Sequence, residues 1–244
     1  MKKIVLVLIS VLIVFLPTQV LAQKRVPILV YHSIDEFTGS GSQELYVTPE
    51  NFEEQIKYLR DHGFTLLTFE NWIDINYVDK PIFLTFDDGY KNNKNAFKIF
   101  KKLQNDSFKP KGTIFVISDF VGRANRLNKK DLKIMSDSGN MSIQSHTATH
   151  PDLTKISNFE KELKESKEKI HQITGKPVIA LAYPYGSFND KVVEETKKYY
   201  QYGLTTTPSP YIKSGIKNEL YYLPRIYIKY STTLDEFAKI VEGI

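Results

Sequence analysis

The chain has 244 residues, 41% of them hydrophobic and 13% aromatic, enough for one large core or two small ones. Its net charge of +5 becomes +3 once the two lysines of residues 1–22 are set aside, and no basic stripe with interleaved aromatics runs along it, so nucleic acid is not an expected partner. No cysteine is present, which excludes disulfides and a lipid-bearing cysteine and leaves an exported domain to rely on its core.

Lys2 and Lys3 precede an apolar run over residues 4–16, and Val20-Leu21-Ala22 comes just before Gln23. A basic, then an apolar, then a small-residue segment is the pattern of a secretory signal peptide over residues 1–22, with cleavage after Ala22 and residues 23–244 as one domain. The apolar run is short for a bilayer span of about 20 residues. An uncleaved N-terminal anchor is the alternative. Residues 26–31 read as a strand. Thr48-Pro49-Glu50 is an N-cap with proline at the first helical position; Phe52, Ile56 and Leu59 follow at helical spacing, and Gly63 ends that helix. Further strands are expected over 64–68, 82–86, 112–118, 141–145, 178–183, 203–207 and 223–228. Helices are expected over 92–105, 128–139, 158–174, 189–200 and 234–241. Residues 35–46, with Gly39 and Gly41, read as a flexible loop over one rim. Repeated βα units imply an α/β fold, a distorted (β/α) barrel of seven or eight mostly parallel strands. Active sites of such barrels lie at the C-terminal ends of the strands.

The chemistry-bearing residues fall at those ends: His32, Asp87-Asp88, His146 and Pro184-Tyr185-Gly186. Thr85-Phe86-Asp87-Asp88-Gly89-Tyr90 closes an apolar run with two carboxylates. Successive strand side chains point to opposite faces, so one Asp can face a metal while the other faces elsewhere. Gly89 permits a sharp exit. A turn whose Asp side chains accept backbone hydrogen bonds would use the same residues. His146-Thr147-Ala148-Thr149-His150 sets two of the five histidines four apart, which on a helical turn puts both rings on one face. Two His and one Asp leave coordination positions open, as a catalytic site requires. The donor set suits Zn²⁺, with Co²⁺, Ni²⁺ or Mn²⁺ as alternatives.

The first of these segments and His146-Thr147-x-x-His150 resemble the first two motifs of the polysaccharide deacetylases, the NodB-homology domain of carbohydrate esterase family 4. The third family motif, Arg-x-Pro-Tyr-Gly, reads here Ala182-Tyr183-Pro184-Tyr185-Gly186: the Pro-Tyr-Gly is kept and the Arg is not. The family's C-terminal Leu-x-His is missing, since no His follows His171. Both departures resemble the poly-N-acetylglucosamine (intercellular adhesin) deacetylase branch, where a Tyr-His near the N-terminus stands in for the missing one. Val30-Tyr31-His32 and Leu223-Pro224-Arg225 are similar to that arrangement. The resemblance runs from about residue 26 to the C-terminus.

The resemblance implies that Asp88, His146 and His150 hold a divalent metal, that Asp87 is the general base, that His32 protonates the leaving amine, and that the backbone N–H of Tyr185 stabilises the oxyanion. Arg225 is expected to supply the cation lost at Ala182 and to orient Asp87. Tyr31, Tyr90 or Phe188 could stack on sugars; His62 and His171 are assigned no function. The implied enzyme is an exported N-deacetylase of an N-acetylglucosamine polymer, first poly-N-acetylglucosamine and next peptidoglycan, working at the cell surface or wall. The rivals are an inactive glycan-binding module and a glycoside hydrolase, the latter needing carboxylates about 5–9 Å apart across a bond.

Overall fold

The computed structural model describes residues 24–244, so the expected signal peptide over residues 1–22 lies outside the described residues. Eight strands form the main sheet: β1 (Ile28–Tyr31), β2 (Phe64–Leu67), β3 (Lys80–Phe86), β4 (Gly112–Val116), β5 (Met141–Ser145), β6 (Ala180–Ala182), β7 (Tyr202–Leu204) and β8 (Ile226–Tyr227). Their order is β7-β6-β5-β4-β3-β1-β8, with β2 beside the first half of β3, and every pairing is parallel. Just before β8, Leu223 bridges Leu204 of β7, while Ile226 and Tyr227 pair with β1. One segment thus touches both edges of the curled sheet, giving the distorted barrel.

Apart from the half-buried β8, the strands are largely buried on both faces, and their alternation separates two cores. Ile28, Phe83, Phe115, Ala180, Ala182 and Leu204 fill the inside with Leu223, and Phe69, Trp72 and Ile75 plug it. Leu29, Leu84, Phe86, Ile114, Ile143 and Leu181 face outward against the helices. These are α1 (Pro49–Asp61), α2 (Asn93–Leu103), α3 (Lys129–Asp137), α4 (Ser166–Thr174), α5 (Asp190–Lys197) and α6 (Leu234–Glu242). Thr48 caps α1 ahead of Pro49, and Asn128 with Asp131 forms a capping box on α3, so both starts follow local chemistry. Among the described residues no helix is long and apolar enough to cross a membrane.

Four expectations need correction. The first strand is interrupted at Pro27, which has no N–H for a ladder; Arg25–Val26 instead pairs antiparallel with Tyr211–Ile212. Residues 35–46 are not a bare loop, since Gln43–Leu45 is a 3₁₀ turn and Tyr46–Val47 pairs with Ser33–Ile34. The helix expected over 158–174 opens as a π-helix, Glu160–Glu165, before α4. Tyr31 is no sugar platform: it is fully buried, with its hydroxyl donated to Gln55 at 2.9 Å.

Candidate active site

Asp87 follows the inward parity of Phe83 and Thr85, so β3 aims it into the barrel mouth. It is 3% exposed, and Arg225, 1% exposed, meets it. The guanidinium is bidentate, with Nη1 on Oδ1 at 2.7 Å and Nη2 on Oδ2 at 2.8 Å. Its Nε donates to the Thr205 carbonyl at 2.9 Å, and Nη1 also reaches the Thr85 hydroxyl at 3.2 Å. Burial works to raise the Asp87 pKa, but the Arg225 charge, aided by His146, wins and holds the carboxyl well below the usual carboxylate range.

Strand alternation predicts that Asp88 faces away from Asp87. The strand has ended at Phe86, and Asp88 takes a left-handed turn (φ 70°) that brings it back to the same mouth. His146 Nε2 lies 3.6 Å from Asp88 Oδ1 and 3.9 Å from Asp87 Oδ2; His150 Nε2 lies 3.7 Å from Asp88 Oδ1. The Nδ1 of His146 meets the Ala182 carbonyl at 2.8 Å. A carbonyl only accepts, so Nδ1 carries a hydrogen, and Nε2 is the ring atom that faces the carboxylates. Burial, and then His146, lowers the His150 pKa against the pull of Asp88 and Asp87, which favours the neutral ring there.

The two histidines do not lie on a helical turn as the spacing predicted. They bracket an irregular loop in which Thr147 (φ 68°) and His150 (φ 64°) are left-handed. Among the described residues five non-glycine residues have positive φ, and Asp88, Thr147, His150 and Tyr185 are all in this site. Each such residue costs about 1–3 kcal/mol and persists only where its surroundings enforce it.

Asp88, His146 and His150 form a three-residue group whose ligand atoms lie within 4.8 Å of one another. Two ligands about 2.0–2.1 Å from a tetrahedral zinc stand roughly 3.3–3.4 Å apart. The observed 3.6 and 3.7 Å are close to that, so the residues fit a divalent ion. The cavity they line has a volume of about 550 Å³ and also holds His32, Leu45, Tyr183, Tyr185, Thr206, Tyr227 and Lys229. His32 follows β1, stacks on Tyr227 with 5.2 Å between ring centres, and has Nδ1 3.0 Å from the Tyr227 hydroxyl. Burial lowers its pKa, opposed by Asp87 and Asp88. Tyr185 is left-handed (φ 61°), 68% exposed, and stands edge-on to His150 at 4.6 Å.

Comparison with known proteins agrees with this geometry. Residues 74–204 match the polysaccharide deacetylase family. The chain belongs to that family. A polysaccharide deacetylase structure from Bacillus cereus is 54% identical, covering 90% of this chain and 69% of that one, with a TM-score of 0.89. A Streptococcus pyogenes deacetylase solved in complex with acetate is 28% identical, covering 90% and 99%, with a TM-score of 0.80. The poly-β-1,6-N-acetyl-D-glucosamine N-deacetylase of Staphylococcus epidermidis is 29% identical over 213 residues, 78% of this chain and 71% of the relative. The reaction class is therefore amide-bond hydrolysis.

The residues matched to the family, 74–204, stop short of His32 and Arg225, which the geometry brings to the same mouth. Sequence reasoning missed Tyr227 against His32, the Ala182 carbonyl against His146, and Glu162, which accepts hydrogen bonds from the histidine loop. Backbone carbonyls leave no sequence signal. Tyr227 is an ordinary residue whose partner is 195 positions away, and Glu162 is one of several acids on a charged helix, with nothing local to single it out. Of the other aromatics considered, Tyr90 is covered by the Arg126 guanidinium at 3.9 Å, and Phe188 lies between Tyr183 and Tyr222. His62 and His171 each bond a nearby backbone carbonyl, away from the site.

Proposed function

We propose that this polysaccharide deacetylase removes acetyl groups from N-acetylglucosamine residues of an extracellular polymer, with poly-N-acetylglucosamine as its first substrate. The observation that carries the reading is the convergence of Asp87, Asp88, His146 and His150 on one cavity, with Arg225 clamped on Asp87. The named activity of the staphylococcal relative supports the polymer. Export through the signal peptide of residues 1–22 would place residues 23–244 beside that polymer, at the cell surface or wall.

In this reading Asp88, His146 and His150 hold a divalent ion, with Zn²⁺ favoured by two imidazoles and one carboxylate. When bound, the ion supplies an acidified water and polarises the substrate carbonyl. Asp87 takes the proton of the attacking water; Arg225 keeps it ionised and fixes its plane through two hydrogen bonds. The Tyr185 backbone N–H, on a left-handed residue that lines the cavity, stabilises the oxyanion. His32, steadied by Tyr227, gives a proton to the leaving amine as the C–N bond breaks. The products are acetate and a free amino sugar.

A glycoside hydrolase does not fit, because Asp87 and Asp88 both approach the same His146 nitrogen and cannot flank a sugar bond. The test is acetate release from poly-N-acetylglucosamine and, in parallel, from peptidoglycan, with Zn²⁺ and with chelator. Metal-dependent release from the first polymer is expected. Faster release from peptidoglycan would reassign the substrate. No release from either, with metal bound, would overturn the enzymatic reading in favour of a glycan-binding module.

A further inference from the structure

The loop that carries His146 and His150 is conformationally costly, with a β-branched Thr147 and His150 itself both left-handed, so something outside it must hold its shape. Ser118 N–H and Asp119 N–H bond the carbonyls of Thr147 and Ala148, fixing one side. On the other side the direct support is Glu162. Glu162 is 5% exposed, and its Oε2 accepts the N–H groups of Ala148 (3.0 Å) and Thr149 (2.8 Å), while Oε1 accepts the Thr149 hydroxyl (2.8 Å). Among the described residues no Lys or Arg forms a salt bridge with Glu162. Its carboxylate is met instead by the loop's own dipoles.

Glu162 stands in the π-helical turn Glu160–Glu165, on the element that follows the histidine loop. π turns widen a helix by one residue and recur at functional sites. Four residues later, Ser166 meets Ser145 Oγ at 2.9 Å, and Ser145 Oγ in turn accepts the Thr147 N–H at 3.2 Å. The helix therefore holds the loop directly through Glu162 and, through Ser166 and Ser145, at the Thr147 N–H.

We propose that Glu162 is a positioning residue that sets the spacing of His146 and His150, and through it the affinity of the site for its ion. This rests on the reading of Asp88, His146 and His150 as the metal site. Outer partners that orient metal ligands typically change affinity by about 10–100-fold when removed. Glu162→Ala should therefore weaken Zn²⁺ binding by about 10–100-fold, leaving two loop N–H groups without acceptors. Glu162→Gln keeps an oxygen for both N–H groups and an amide that the Thr149 hydroxyl can accept, so it should stay within a few-fold of wild type. Glu162→Asp keeps the charge but is one methylene too short, and should lose about 10-fold or more on the same grounds.

The experiment is a competition titration of Zn²⁺ against a chromophoric chelator on the full-length chain and the three variants, with thermal midpoints in excess chelator. A fall in affinity in the Ala and Asp variants, with Gln near wild type, supports the proposal. Affinity unchanged in Glu162→Ala or Glu162→Asp, whatever happens to the midpoint, overturns it and leaves Glu162 as packing alone. If Glu162→Ala does not fold, the Asp and Gln variants decide. A wild-type chain that binds no Zn²⁺ overturns the site reading itself and the proposal with it.

Discussion

Two groups of charges face each other across a few ångströms at the barrel mouth, and they are finished to different degrees. The Asp87–Arg225 pair is complete: both carboxylate oxygens and the guanidinium Nε are matched by hydrogen bonds, inside a wall of buried side chains. Asp88, His146 and His150 are less finished: three atoms able to ligate an ion lie within 4.8 Å of one another, with no guanidinium among the described residues clamped on them. A closed pair of this kind holds a reacting group in one geometry and charge state. In the proposed function the open triad is the receptor for the ion. The two groups are adjacent, with His146 Nε2 within 4 Å of carboxylates from both.

Substitutions can separate the two. His146→Ala removes a ligand of the open triad and should abolish retained metal and acetate release together, checked by metal analysis after dialysis. Asp87→Asn strikes the closed pair instead. It should lower kcat by about 10²–10⁴-fold, the usual range for a lost general base, while the chain still retains its metal. If Asp87→Asn lost metal as completely as His146→Ala, the division between the two groups would be wrong.

Arg225→Met should cost about 3–5 kcal/mol of folding stability in denaturant titrations at neutral pH with chelator present, because it strands a buried carboxylate. The sign with pH follows from the depressed Asp87 pKa. The pair's contribution is fully present above the unfolded value of 3.8 and is lost as pH falls toward the folded one. The stability gap between wild type and Arg225→Met should therefore narrow below about pH 4. A gap that widened in acid would contradict the ion pair.

Metal removal probes the open triad without mutation. Chelator should lower the wild-type thermal midpoint, corresponding to about 2.7 kcal/mol where free metal had stood at 100 times Kd, and should leave His146→Ala unmoved. The smallest effect is expected at Tyr185. Tyr185→Gly keeps the backbone N–H and suits the left-handed turn, so kcat should hold within about three-fold while KM rises a few-fold from the lost rim contact. A collapse of kcat would mean that the ring, not the N–H, does the chemistry.

Much of this was legible from the chain itself. The βα alternation, the Thr48-Pro49 start of α1, the Asn128 cap of α3 and the placement of Asp87-Asp88 after an apolar strand are local signals, decided by residues within a few positions of one another. They located the barrel and the mouth at which the chemistry would sit. The histidine loop was legible in composition and misread in shape. An i, i+4 spacing says helix only when the backbone between is free to be one, and here Glu162, Ser118 and Asp119 impose another path. The approach of Arg225 to Asp87 spans 138 residues, and that of Tyr227 to His32 spans 195. No local pattern carries such distances. They are decided when the last strand segment closes the barrel beside β1 and delivers both side chains to the mouth. Residue types and their order along the chain therefore determined which groups are available for catalysis. Barrel closure, a long-range event governed by burial of both strand faces, decided which of them meet.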